Sequence, residues 1–195
     1  MDKKVMEIKS FIKEYKNVLT PKQVSTILRI FSKENFDEAA IIGKKDDNLI
    51  NKNTRNAQNY NLNQNKSITE TQWFNFICYN IKNKINEYCR EKEISVHLHK
   101  VLEVTLLKYE EGGFYKVHHD NNAVAAPREF SVIIFLNNDY EGGSLFFYEP
   151  NGKTKIKEIK PDVGKAVIWP SNYLFPHSAQ TVTKGTRFVI VSWVN

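Results

Sequence analysis

Residues 130–159 read FSVIIFLNNDYEGGSLFFYEPNGKTKIKEI. Three short runs rich in β-branched and aromatic side chains, Phe130–Leu136, Ser144–Tyr148 and Lys153–Ile159, are broken by Asn137-Asn138-Asp139 and by Asn151-Gly152. Asn-Gly between two such runs is a strong signal for a two-residue hairpin. The pattern continues in both directions. Upstream lie Ile94–His99, Val101–Tyr109 and Phe114–His119; downstream lie Lys165–Trp169 and Arg187–Val194. Glu110-Glu111-Gly112-Gly113, Pro161-Asp162 and Lys184-Gly185 supply the further turns. Eight short strands with no helix between them predict a sandwich, a barrel or a jelly roll.

Before residue 94 the period changes. Thr20-Pro21-Lys22-Gln23 has the form of a capping box with proline at the first helical position, and Val24, Ile27, Leu28 and Phe31 follow at helical spacing. A second helix is expected over Thr69 to Glu91, with Phe74, Ile77, Cys78, Ile81, Ile85 and Tyr88 on one stripe. Between them, residues 48–65 carry eight asparagines and no apolar period, which reads as a long loop within an Asn-rich stretch at 44–68. The expected organisation is a helical support region over 1–93 and a β core over 94–195, together one structural domain. The loop is expected to act as a mobile lid.

Composition narrows the function classes. The chain has 195 residues and a net charge of +6, all of it in the first 100 residues. No dense Lys/Arg stripe accompanies that bias, so it gives little support to nucleic acid as a partner. Two cysteines, Cys78 and Cys89, cannot build a disulfide framework or a four-cysteine zinc site. No stretch approaches the roughly 20 apolar residues of a membrane span, and Met1 to Lys16 shows no apolar signal region. A soluble cytoplasmic protein is expected, with no membrane partner.

Chemistry concentrates at His118-His119-Asp120, at the end of an expected strand. Residues i and i+2 of a strand share a face, so His118 and Asp120 can aim an imidazole and a carboxylate at one point. His177, in Phe175-Pro176-His177-Ser178, is the evident third ligand. Two histidines and one carboxylate with open positions form the facial triad of non-haem iron(II) oxygenases. His97 and His99 share the spacing but bring no carboxylate beyond Glu93 and no third ligand, and read as the solvent side of a strand. Ten residues after His177, Arg187 opens a strand behind Gly185. A guanidinium there can hold the far carboxylate of a dicarboxylate co-substrate such as 2-oxoglutarate, whose oxo-acid end would chelate the metal.

These residues carry a resemblance. The pattern is Tyr109, Phe114-Tyr115-Lys116-Val117-His118-His119-Asp120, Arg128 and Phe135-Leu136-Asn137. It continues through Glu141-Gly142-Gly143, Pro161-Asp162-Val163-Gly164, His177, Gly185-Thr186-Arg187 and Trp193. Residues 101–195 resemble the prolyl 4-hydroxylase branch of the iron(II)- and 2-oxoglutarate-dependent dioxygenases. The resemblance implies a mainly β fold with N-terminal helices, a double-stranded β-helix (jelly roll). It assigns His118, Asp120 and His177 to iron(II), with Arg187, Tyr109 and Leu145 lining the 2-oxoglutarate pocket. Tyr115, Arg128 and Trp193 would face the substrate, and Arg55 matches a motif position before the long helix. Dioxygen is the second co-substrate, ascorbate would support turnover, and no side chain outside the metal centre need act as acid or base. The implied substrate is a proline in a peptide or protein. The alternatives are another amino-acid side chain, a small metabolite, a methylated nucleobase, or a jelly-roll module without catalysis. Two departures stand out: Phe135 replaces a tyrosine that some relatives place beside the distal carboxylate, and Asn195 stands two residues past Trp193 where others have histidine.

Overall fold

The structure, a computed structural model, describes residues 7–42, 48–62, 66–95, 100–121 and 127–195. A 3-10 turn at Ile8–Phe11 leads into β1 (Lys13–Tyr15), α1 (Pro21–Phe31), β2 (Asp37–Glu38), β3 (Ile41–Ile42), β4 (Asn48–Leu49), β5 (Arg55–Asn56), β6 (Gln58–Asn61) and α2 (Ile68–Lys92). The second half holds β7 (Val101–Tyr109), β8 (Phe114–His118), β9 (Phe130–Phe135), β10 (Glu141–Gly142) and β11 (Leu145–Tyr148). It ends with β12 (Lys155–Ile159), β13 (Ala166–Pro170), β14 (His177–Ala179), β15 (Val182–Lys184) and β16 (Arg187–Val194).

The fold is a jelly roll. A seven-stranded sheet runs β1-β13-β9-β16-β7-β6-β2, and a five-stranded sheet runs β12-β11-β14-β8-β5. The large sheet is buried on both faces, so its strands read as nearly continuous apolar runs, yet their side chains sort with period two. Val132 and Ile134 of β9, Leu106 of β7, Ile168 of β13 and Ile190 of β16 meet Ile77, Ile81, Ile85 and Tyr88 of α2 and Val24, Ile27 and Phe31 of α1 in an outer core. Their neighbours Ile133, Phe135, Leu107, Val167, Trp169, Val189 and Val191 point the other way, onto Leu145, Phe147 and Ala179 of the small sheet. Helix α1 starts as its sequence requires: Thr20 caps it, its hydroxyl accepting from Gln23 N while Gln23 Oε1 accepts from Thr20 N.

Four expectations need correction. The region before residue 94 is not simply helical, because β1 edges the large sheet on β13 while β5 edges the small sheet on β8. The described part of the Asn-rich stretch is not a bare loop either. Asn56, Asn59 and Asn61 are half-buried on the short strands β5 and β6, while Ala57, Tyr60 and Leu62 turn inward, and β6 pairs with β7 over four residues. The Asn151-Gly152 hairpin exists, but its loop is longer than two residues. Glu149 N donates to Thr154 O, and Asn151 Oδ1 accepts from Lys153 N and Thr154 N, a side-chain-closed turn that widens the connection. Strands β14 and β15, three residues each, escaped the period-two reading because they are too short to show a period. The expected strand Ile94–His99 lies partly outside the described residues, with His97 and His99. Among the described residues, no helix is long and apolar enough to cross a membrane.

Candidate metal and co-substrate site

Three cross-strand pairs build the site. His177 of β14 sits opposite His118 of β8, Arg187 of β16 opposite Tyr109 of β7, and Arg55 of β5 opposite Tyr115 of β8. Residues far apart in sequence become nearest neighbours this way. The register of β14 on β8 shifts just after His177, which lets the chain bend there.

His118, Asp120 and His177 offer ligand atoms within 4.8 Å of one another. Strand β8 ends at His118, so Asp120 reaches the group from the bend that follows rather than from the strand itself. That bend is pinned: Asn121 N donates to Ser171 O, and Arg128 Nη1 donates to the carbonyl of Asp120. Both imidazoles are aimed by backbone carbonyls, which can only accept. His118 Nδ1 donates to Lys116 O at 2.8 Å and His177 Nδ1 to Phe175 O at 3.1 Å, so each ring presents Nε2 as a lone pair. Asp120 Oδ2 accepts from Ser131 Oγ at 2.6 Å, while Oδ1 lies 3.8 Å from His118 Nε2. Ser131 spends its one proton on Asp120, so the 2.7 Å contact to Ser171 is a donation from Ser171 Oγ.

The electrostatics suit a cation. Burial and the neighbouring His177 pull His118 down to about 3, so the ring is neutral at ordinary pH. Burial raises the Asp120 carboxyl, but His177, His118 and the Ser131 hydroxyl together outweigh it and hold the group below its usual value, ionised. Two imidazole nitrogens and one carboxylate oxygen make a donor set that fits iron(II).

A cavity of about 580 Å³ runs from this cluster to Arg187. Arg187 is 1% exposed, and its Nε, Nη1 and Nη2 have no hydrogen-bond partner of good geometry among the described residues. Its guanidinium lies 4.8 Å from the Tyr109 ring centre and 5.7 Å from that of Phe135. A buried, unpaired cation is costly, and the natural remedy is an anionic ligand. Leu145 lines the same cavity. The residues present therefore fit both an iron(II) ion and a dicarboxylate reaching from it to Arg187.

The other sequence-named residues stand around the same cavity. Tyr115 stacks on His118 with ring centres 3.5 Å apart, and the Arg55 guanidinium covers Tyr115 at 4.7 Å. Arg128 lies 3.8 Å over the Trp193 ring. His119 is exposed and hydrogen-bonds through Nδ1 to Asn121 O. Three residues went unread in the sequence. Ser131 had a signal, a hydroxyl inside the apolar run FSVIIF. Trp169, whose buried indole N–H has no partner among the described residues, packs edge-on against His177 at 4.9 Å. Tyr140 reaches Arg187 from a loop, where no periodicity reports it.

The family model described as the 2OG-Fe(II) oxygenase superfamily matches residues 91–195. Prolyl 3-hydroxylase 1 of Gallus gallus is 32% identical over 137 residues, 59% of this chain and 19% of that protein. Prolyl 3-hydroxylase 1 of Homo sapiens is 39% identical over 66 residues, 34% of this chain and 9% of that protein. The chain thus spans less than one fifth of these curated relatives. Among solved structures, a prolyl hydroxylase of Trichoplax adhaerens in complex with a hypoxia inducible factor peptide fragment superposes with a TM-score of 0.75 at 16% identity, over 94% of this chain and 83% of that one. A Pseudomonas putida prolyl-4-hydroxylase gives 0.70 at 17% identity, over 95% and 92%.

Proposed function

The chain belongs to the 2OG-Fe(II) oxygenase superfamily, and on that premise we propose that it hydroxylates proline within an extended peptide or protein segment, using iron(II), 2-oxoglutarate and dioxygen. The observation that carries the oxygenase reading is the buried Arg187, unpaired with any acidic group among the described residues, in the same cavity as His118, Asp120 and His177. Bound iron(II) and 2-oxoglutarate supply oxidising power for an unactivated C–H bond, the co-substrate leaving as succinate and carbon dioxide. The chain's own residues then have separable tasks. His118, Asp120 and His177 would hold the metal, Ser131 and the backbone carbonyls of Lys116 and Phe175 orient them, and Arg187 with Tyr109 and Leu145 would hold the dicarboxylate. The enclosed apolar floor of Trp169, Val189 and Val191 limits access of water.

The proline reading is supported by the mouth of the cavity. Two guanidinium–aromatic pairs, Arg55 on Tyr115 and Arg128 on Trp193, give flat apolar walls with donors nearby. Such walls suit a pre-extended polyproline segment, which loses little entropy on binding. The prolyl hydroxylase names of the relatives support the same substrate. A cytoplasmic setting is in keeping with two free cysteines, and ascorbate as the supporting reductant belongs to this reading.

The test incubates the protein with iron(II), ascorbate and 2-oxoglutarate plus proline-rich peptides, methylated single-stranded DNA or free amino acids, followed by mass spectrometry. A gain of one oxygen on a peptidyl proline is expected. Succinate formed only with DNA or a free amino acid would overturn the proline assignment and leave the oxygenase assignment standing.

A further inference from the structure

The Arg187 guanidinium and the hydroxyl of Tyr140 lie side by side in the interior, and among the described residues the buried hydroxyl finds no acceptor for its proton. We propose that Tyr140 is a co-substrate-binding residue, its hydroxyl donating a hydrogen bond to the distal carboxylate of 2-oxoglutarate beside Arg187. The proposal rests on the co-substrate reading above and deepens it.

The loop that carries Tyr140 is fastened to the start of β16. Asn137 Oδ1 accepts from Phe188 N, and Asn137 Nδ2 donates to Thr186 O, both at 2.7 Å. Glycines make room for the tyrosine beside the arginine. A Cβ at Gly143, whose φ is +62°, would come within 2.9 Å of Tyr140 Cε2 and 3.2 Å of Arg187 Cδ. A Cβ at Gly185 would come within 3.4 Å of Tyr140 Cβ. Ring and guanidinium thus lie against the same glycine, Gly143, where a side chain would crowd both.

The direction of the phenol proton follows from chemistry. A guanidinium offers only donors, so the Tyr140 proton cannot be spent on Arg187. Burial raises the hydroxyl pKa, and the Arg187 charge pulls it part of the way back, so the group keeps its proton at neutral pH and remains a donor. No acceptor for it is found among the described residues. A carboxylate gripped by Arg187 would place two acceptor oxygens against the same guanidinium, within reach of that proton. Phe135, which faces Arg187 from strand β9, brings no hydroxyl. Tyr140 makes good that lack from a loop instead of a strand.

The experiment is calorimetric titration of Mn(II)-loaded protein, without turnover, using 2-oxoglutarate and, separately, oxalate, which chelates a metal but has no arm to reach Arg187. Tyr140→Phe keeps the ring against Gly143 and removes only the hydroxyl. It should weaken 2-oxoglutarate about tenfold or more, as expected for a hydrogen bond to a charged acceptor, and leave oxalate unchanged. If Tyr140→Phe binds 2-oxoglutarate as tightly as wild type while Arg187→Met loses it, the Tyr140 proposal is overturned and the co-substrate reading survives. Equal weakening of both ligands overturns it too, since the effect would then be a general disturbance. Wild-type protein that binds oxalate but not 2-oxoglutarate overturns the co-substrate reading, and the Tyr140 proposal with it.

Discussion

Arg187 concentrates the tension between stability and function in one side chain. It is buried among Tyr109, Phe135 and Tyr140, and among the described residues no acidic side chain pairs with it. Even paired buried charges are often replaced by apolar residues at no loss or with a gain of about 1–4 kcal/mol, and a cation without a counter-charge has less to lose. Arg187→Met should therefore raise the Tm of the metal-free, ligand-free protein and abolish the further rise that 2-oxoglutarate gives metal-loaded wild type. An unliganded Arg187→Met that melts lower than wild type would show that the charge is already compensated. Ser131 makes the complementary case. Its 2.6 Å bond fixes one oxygen of Asp120, and partners of this kind typically contribute 10–100-fold to metal affinity. Ser131→Ala should weaken Mn(II) binding by about tenfold and leave the melting of the metal-free protein within about 1 kcal/mol. Equal affinity in the two proteins would leave Ser131 no part in orienting the ligand.

At the scale of elements, what could be read in the sequence depended on length and on locality. Helix α1 was legible to the residue, because a capping box is a four-residue signal and Thr20 and Gln23 carry both halves of it. Strands β7 and β16 were legible because nine and eight residues are enough to show a period. β5 and β6 were not, since short strands decked with asparagine draw their stability from the pairing with β8 and β7 rather than from their own composition. The candidate site divides in the same way. His118 and Asp120 are close in sequence, whereas the meeting of Arg187 with Tyr109 or of Arg55 with Tyr115 depends on register, which no local pattern encodes. Strand β1 depends on a further long-range contact. Glu14 pairs with Lys165 at 2.9 Å and Lys157 at 3.2 Å, and the Lys165 side chain is only 8% exposed. Burial raises the Glu14 carboxyl, but the two lysines outweigh it and hold the pKa below its ordinary value. Stability from this group is thus present above the unfolded carboxylate pKa and lost as pH falls through the lower folded value. Glu14 is about one third exposed, so screening reduces the 3–5 kcal/mol of a fully buried broken pair to about 1–2 kcal/mol. Glu14→Gln should cost that much at neutral pH and flatten the loss of stability on acidification below about pH 4.5. Parallel acid curves for the two proteins would assign the acid sensitivity elsewhere.

The whole molecule is two cores separated by one sheet, and the sheet decides which of them touches chemistry. Ile85 of α2, fully buried, belongs to the outer core, where helices cover β7, β9, β13 and β16. Phe147 of β11, also fully buried, belongs to the inner core, with Trp169 at 5.0 Å and His177 at 5.7 Å between ring centres. Removing either side chain leaves a cavity, at about 2–5 kcal/mol for Ile→Ala and 3–5 for Phe→Ala. The consequences for the metal should nevertheless differ. A void behind the sheet at Ile85 is separated from the His118–Asp120–His177 cluster by the strands, whose hydrogen-bonded ladder resists deformation. A void at Phe147 removes the surface on which the His177 ring rests, freeing the imidazole to leave the orientation that Phe175 O imposes. Ile85→Ala should therefore lower Tm without changing the Mn(II) dissociation constant, whereas Phe147→Ala should lower Tm and weaken Mn(II) about tenfold or more. Thermal melting and calorimetric metal titration on the two variants decide the matter. A loss of metal affinity in Ile85→Ala equal to that in Phe147→Ala would mean that the sheet transmits outer-core strain to the metal ligands, and that the helices tune the site as well as cover it.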